Sequence, residues 1–227
     1  MPNGPPNDEP PPGEPAPGKS APGEKGETAP IVRIMPLGDS ITFGVGSNDR
    51  GGYRSDLEER LTAAGVRFDF VGSRDAGPAG ADDDNEGHSG WTIARMARRI
   101  DRWLATYRPD VVLLHIGTND VRREGSAEGA VKRLGVLLNR IRRDRPAAQI
   151  FVAQIVGSRA PDLQRRIDRY NAGVARMVAA RHDPRLHLVD QGDVRAPLLH
   201  PNDAGYAAMA AIWFTAIEKA GPAPARW

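Results

Sequence analysis

Val32-Arg-Ile-Met-Pro-Leu-Gly-Asp-Ser-Ile-Thr-Phe-Gly44 decides how this chain folds. Val32 to Leu37 is apolar enough for a buried parallel strand, and Gly38 interrupts it. Asp39-Ser40 then stands where a helix can begin, and both residue types suit that place. A hydroxyl at the carboxyl end of a buried strand, beside free backbone N–H groups, also suits a nucleophile. Taken alone, the stretch leaves both readings of Ser40 open, helix cap and nucleophile.

The 227 residues suffice for one domain with a proper core and some extra chain. A net charge of +2 gives no bulk electrostatic case for a nucleic-acid partner. With no cysteine, disulfides, thiolate metal sites and a cysteine nucleophile are excluded. No apolar run approaches the ~20 residues of a membrane span. Residues 1–30 hold ten of the 20 prolines, with five acids against two lysines. Such a segment buries too little to offset its ordering entropy, so a disordered linker is expected there. Residues 31–221 then form the domain, and 222–227 a tail. A linker of this kind follows a removed export signal or tethers another module, so an extracellular location is expected. No signal peptide is visible, since Met1 leads directly into polar, proline-rich sequence. A start assigned too far downstream would look the same.

Beyond Gly44 a polar loop runs to Gly52, and Tyr53 to Ala64 forms a helix ended by Gly65. Phe68 to Gly72 is a second strand, and Ser73 to Ser89 a long loop. Its run Asp82-Asp83-Asp84 suits either a solvated turn or a hard cation. Ile93, Met96, Ile100, Trp103 and Tyr107 make one apolar stripe, so one helix is expected from Thr92 to Tyr107, with Trp103 in the core. Val111 to Ile116, Gln149 to Ile155 and Leu186 to Asp190 are further strands. Helices at about 127–144, 163–181 and up to Ala220 separate and follow them. Five strands alternating with helices predict a three-layer α/β/α sandwich on a five-stranded parallel sheet. Ligands in such sheets lie beyond the carboxyl ends of the strands, which puts Ser40, the Gly90 region, Asn119 and His200 on one rim.

Four blocks stand on that rim: Gly38-Asp-Ser40, Gly87-His-Ser-Gly90, Gly117-Thr-Asn-Asp120 and His200-Pro-Asn202. In this order they make the chain resemble the SGNH, or GDSL, hydrolases from about Ile34 to Ala220. The resemblance implies a flavodoxin-like fold and a serine esterase that needs no cofactor. It implies Ser40 as nucleophile and His200 as general base. The oxyanion hole would comprise the N–H groups of Ser40 and Gly90 and the Asn119 side chain. The residue types fit, because a serine hydroxyl needs a base and the tetrahedral intermediate needs fixed donors. Gly51-Gly-Tyr-Arg54, Phe70-Val-Gly-Ser73 and Glu86-Gly-His-Ser-Gly-Trp-Thr-Ile93 are similar to the acetyl xylan esterases of that superfamily. The substrate implied is a small ester or an acetylated polysaccharide such as xylan. Two rivals stand beside it: an intracellular thioesterase or lysophospholipase, and a weakly active carbohydrate-binding relative.

One departure is visible. The family usually places an aspartate three residues before the histidine, and here that position is Pro197. Asp193 is the candidate acid if the loop bulges; otherwise a backbone carbonyl orients His200. Trp91 suits a sugar-stacking platform or packing at a helix start. His88 suits the pocket or a loop hydrogen bond, and His115 a strand interior. His182 and His187 flank a turn, and no pair of histidines has metal-ligand spacing. Arg122 and Arg123 suit an acidic substrate or a solvated face.

Overall fold

The computed structural model describes residues 30–123, 127–197 and 199–221. The expected linker, save Pro30, and the expected tail lie outside them. Strand β1 (Val32–Gly38) leads into a one-turn helix α1 (Ser40–Phe43) and then α2 (Tyr53–Ala63). Three short strands follow: β2 (Phe68–Phe70), β3 (Arg74–Asp75) and β4 (Asp84–Gly87). Next come α3 (Ile93–Ala97), α4 (Ile100–Tyr107), β5 (Val111–His115), α5 (Thr118–Arg123) and α6 (Ala127–Asp144). The last part is β6 (Gln149–Ala153), β7 (Gly157–Ser158), α7 (Pro161–Ala179), β8 (Leu186–Val189), β9 (Arg195–Ala196) and α8 (Asp203–Lys219).

The five expected strands are present, all parallel, in the order β2-β1-β5-β6-β8. Successive side chains alternate between two cores, as a strand buried on both faces requires. Met35, Leu37, Val112, Leu114, Ile150 and Val152 face α3, α4, α6 and α7. Val32, Ile34, Val111, Leu113, Phe151 and Ala153 face α2 and α8. Helices therefore cover both faces, and the three-layer sandwich holds.

Two expectations need correction. The sheet has seven strands, because the presumed loop after Phe70 supplies β4, parallel to the end of β1, and β3, antiparallel to β4. Asp84-Asn-Glu-Gly87 carries no apolar alternation, so its pairing rests on backbone hydrogen bonds at a site where β2 has ended. The helix expected from Thr92 to Tyr107 breaks at Arg98–Arg99, where the Arg99 N–H bonds the Met96 carbonyl, one residue short of the α-helical partner. The acidic run disperses too. Asp82 accepts from the Phe70 N–H, the Asp83 carbonyl accepts from Arg54, and Asp84 enters β4.

Arg54 is 1 % exposed, and its guanidinium serves backbone carbonyls only. Nε donates to Thr42, Nη1 to Asp83, and Nη2 to Phe43, Arg50 and Ala76. One side chain thus closes the turn after α1, the polar loop before α2 and the segment before β4. A charge taken from water needs such a fan of acceptors, and burial still pulls its pKa below the usual guanidinium value.

Two other titratable groups lie at the ends of paired strands β1 and β5, where Gly38 faces His115. Asp39 is fully buried, and burial, with the charge of Asp120 adding, pushes its carboxyl up to about 7. His115 is equally buried; neither ring nitrogen has a partner among the described residues, and burial pulls it down to about 4. The two act in opposite senses. A raised acid binds its proton more tightly in the folded state, so the Asp39 contribution grows as pH falls from 7 toward 3.8. A depressed imidazole binds it less tightly, so the His115 contribution shrinks as pH falls from 6.5 toward 4.

Two predictions follow from these buried groups. Arg54→Lys keeps the charge but offers at most three donors without the fork, so urea unfolding is expected to show a loss of roughly 2–4 kcal/mol. A loss within experimental error of zero would mean that the loops hold without the guanidinium. Asp39→Asn keeps a helix cap but removes the titration. Acidification from roughly pH 7 to 4.5 is expected to cost the variant about 3 kcal/mol more stability than the parent. Parallel stability–pH curves would show that Asp39 is ionised throughout that range.

Candidate active site

Asp39 is the N-cap of α1, and its Oδ1 accepts the Ile41 N–H at 3.0 Å. Ser40 is therefore the first helical residue rather than the cap, and its hydroxyl is spared from capping. His200 Nε2 lies 2.9 Å from Ser40 Oγ, joining residues 160 positions apart. For Nε2 to accept the hydroxyl proton, the imidazole must carry its own proton on Nδ1.

The loop between α1 and α2 sets the place of His200. Gly46 has φ +102, and a β-carbon there would sit 2.6 Å from the Pro201 carbonyl and 3.0 Å from His200 Cβ. Only glycine lets this loop pass so near the imidazole. The loop is clamped to α8: Tyr206 Oη donates to the Val45 carbonyl at 2.6 Å, and Asn48 donates through its backbone and side chain to Asp203. The Asn202 side chain accepts from Gly205 N and caps α8, fixing the turn that bears His200.

Asn119 lies in the first turn of α5, 4 % exposed. Its Nδ2 donates to the Trp91 carbonyl at 3.0 Å and reaches Asp39 Oδ2 at a long 3.4 Å. The side chain thus bridges the Ser40 block and the loop after β4. Gly90, next to Trp91, has φ +77, and its carbonyl accepts from Arg123 Nη1 at 3.5 Å. Asp120 accepts the Ile93 N–H at 2.9 Å and pairs with Arg133, so α3 starts against α5.

Trp91 is engaged already. Its ring stacks on His88 at 4.0 Å, and the Arg95 guanidinium lies 4.6 Å from its centroid. His88 also stacks on the buried Trp103 and meets Glu86 Oε1 at 2.6 Å. Glu86 in turn accepts from the backbone and hydroxyl of Ser73. This cluster packs the loop carrying Gly90 onto α4, so Trp91 is held by packing rather than presented as a free face.

Asp193 stands apart. It is exposed, in a turn closed by the Val194 N–H on the Gln191 carbonyl. Just beyond it β9 pairs with β7 in a separate two-stranded sheet. Among the described residues no hydrogen bond joins Asp193 to His200. The influences on the His200 pKa are burial first and the Arg122 charge second, and both lower it. The roles of Arg54 and Asp120 were not read from sequence: Arg54 was visible only as part of a resembling motif, and Asp120 only as the last letter of a block.

A cleft of about 810 Å³ lies elsewhere, between β8 and α8, lined by Leu186, Leu188, Ile212 and Ala216 together with polar residues such as Asp190 and Lys219. Ser40 and His200 are absent from its walls.

Residues 37–208 match the GDSL-like lipase/acylhydrolase family. The chain is 31 % identical over 230 residues to a multidomain esterase of Ruminococcus flavefaciens, a match that takes in 84 % of this chain but spans only 29 % of that protein. Among solved structures, the Clostridium thermocellum family 3 carbohydrate esterase superposes with a TM-score of 0.75 at 36 % identity, covering 84 % of this chain and 98 % of that one. A carbohydrate esterase family 3 enzyme from Talaromyces cellulolyticus gives 0.72 at 27 % identity, over 83 % and 97 %. The chain therefore belongs to the GDSL-like lipase/acylhydrolase family, as an ester hydrolase of GDSL type close to carbohydrate esterase family 3.

Proposed function

We propose that the domain is a serine esterase that removes acetyl groups from a polysaccharide such as xylan, through an acyl-enzyme on Ser40. The observation that carries this reading is the 2.9 Å approach of His200 Nε2 to Ser40 Oγ. His200 takes the hydroxyl proton as Oγ attacks the ester carbonyl carbon, and the carbonyl π electrons move to oxygen. The intermediate collapses, the C–O bond to the sugar breaks, and the sugar oxygen receives the proton from His200. Water then attacks the acyl-enzyme, again losing a proton to His200, and Ser40 recovers that proton as acetate leaves.

The oxyanion donors are the N–H groups of Ser40 and Gly90 and the Asn119 amide. At rest both amide hydrogens of Asn119 have acceptors. The contact to Asp39, at 3.4 Å, is the weaker and is the one redirected to the oxyanion. With Asp193 exposed and unbonded to the imidazole, His200 works in a dyad, its Nδ1–H satisfied by a backbone carbonyl or water. The thioesterase or lysophospholipase alternative is disfavoured, because neither Ser40 nor His200 lines the cleft of about 810 Å³ that could take a long acyl chain. The similarity to part of a multidomain esterase supports residues 1–30 as a tether to other modules, in an extracellular protein acting on cell-wall polysaccharide.

Three measurements test this reading. Ser40→Ala is expected to abolish release of acetate from acetylated xylan and from p-nitrophenyl acetate while the fold persists; activity within about 10-fold of the parent would remove Ser40 as nucleophile. Asp193→Asn is expected to change kcat/KM by less than about threefold, and a loss beyond ~100-fold in a folded variant would restore a triad. Because the base must be neutral, kcat/KM is expected to rise with pH through an inflection below the ordinary imidazole value of 6.5. A rate flat through that region would count against His200.

A further inference from the structure

Helix α5 carries Asn119 in its first turn and Arg122 and Arg123 in its last. The helix is short, so both guanidiniums begin within one turn of the oxyanion amide. Both residues are exposed. Arg123 lies over the Gly90 backbone: Nη1 is 3.5 Å from the Gly90 carbonyl, and Nη2 would be 3.7 Å from a β-carbon built on that glycine. The positive charge of Arg122 acts on His200. Arg166 of α7 adds a third guanidinium, with Nη1 against the Arg122 carbonyl.

What sets this group apart is its place, with Arg123 against the Gly90 backbone and the Arg122 charge reaching His200. Arg133, Arg140, Arg142, Arg143 and Arg165 each pair with a carboxylate. Among the described residues Arg122, Arg123 and Arg166 form no ion pair, so no described carboxylate draws their charge away from the rim. A cation beside a general base also opposes protonation of that base, which is a cost to proton abstraction. A group of exposed cations at the rim of a reaction centre is an arrangement that recruits an anionic ligand.

We infer that Arg122 and Arg123 select substrates bearing a carboxylate near the scissile ester, so that the preferred polymer is an acetylated glycan carrying uronic acid residues. The inference rests on the esterase reading and narrows its substrate class. Arginine suits this task, because its planar fork meets a carboxylate with two parallel N–H donors. At an exposed rim such a pair gives a several-fold preference that salt weakens.

The test compares kcat/KM of the whole chain on two acetylated xylo-oligosaccharides, one neutral and one with a glucuronic acid branch. The parent is expected to favour the acidic substrate roughly three- to tenfold at low salt. The preference is expected to fall toward one in ~0.5 M sodium chloride. In Arg122→Gln/Arg123→Gln the preference is expected to disappear at all salt concentrations. The inflection of the pH–rate profile on the neutral substrate is expected to move upward in Arg122→Gln, which a surface residue remote from His200 would not cause. A parent preference of one or less, or a preference that survives the double substitution, overturns the inference. If the neutral ester is still turned over in those cases, the esterase reading stands without it. No turnover of either ester overturns both.

Discussion

The buried carboxylate of Asp39 is the constraint on which the site depends. One oxygen caps α1 and thereby leaves the Ser40 hydroxyl free. The other faces the amide of Asn119, which starts from the end of the neighbouring strand. This is possible only because β1 and β5 pair with Gly38 opposite His115, so that the residues just past each strand are neighbours. The two buried acids of this region are handled differently. Asp120 is matched by Arg133 and serves as a structural link between α5 and α3. Asp39 has no such cation, and the cost of its burial appears instead as a carboxyl raised to about 7.

The apolar cores end where the strands end, and they do not hold the rim. The rim loops are built from glycine, serine, asparagine and aspartate, whose backbone groups must be satisfied one by one. Arg54 does this from within for three segments at once. Tyr206 and Asp203 do it from α8, and Glu86 does it for Ser73 while its carboxylate also meets His88 of the loop leading to Gly90. Each clamp is polar, and those from α8 join residues 155 and 161 positions apart. The position of His200 against Ser40 is thus set by hydrogen bonding more than by hydrophobic packing.

That division explains how much could be read from sequence. Strands β1, β5, β6 and β8 are short apolar runs, and α6 and α7 have regular apolar stripes, so periodicity reveals them. Strands β3 and β4 are polar, and nothing in Arg74-Asp75 or Asp84-Asn-Glu-Gly87 marks them as paired. The stripe from Ile93 to Tyr107 is correct about burial, yet it cannot show the break at Arg98–Arg99, because both pieces face the same core. Ser40 and His200 were legible as blocks, and the structure brings their side chains together. Asp193 was proposed by distance along the chain alone. Its exposure follows from the pairing of β9 with β7, two-residue strands that carry no sequence signature.

The Arg122 charge and the burial of His200 act in the same direction, and both weaken the imidazole as a base. For a hydrolase that generates an acid this has a compensating use. Each ester cleaved yields a carboxylic acid, which ionises and acidifies the surroundings where buffering is poor. An imidazole with an ordinary pKa would become protonated, and so inactive as a base, as product accumulated. One held below that value stays neutral further into the acid range and trades intrinsic basicity for availability. On the proposed reading, the same guanidinium that would attract an acidic polymer would then keep a Ser40–His200 dyad working in the acidity its own reaction creates. Substrate selection and pH tolerance would have one electrostatic origin.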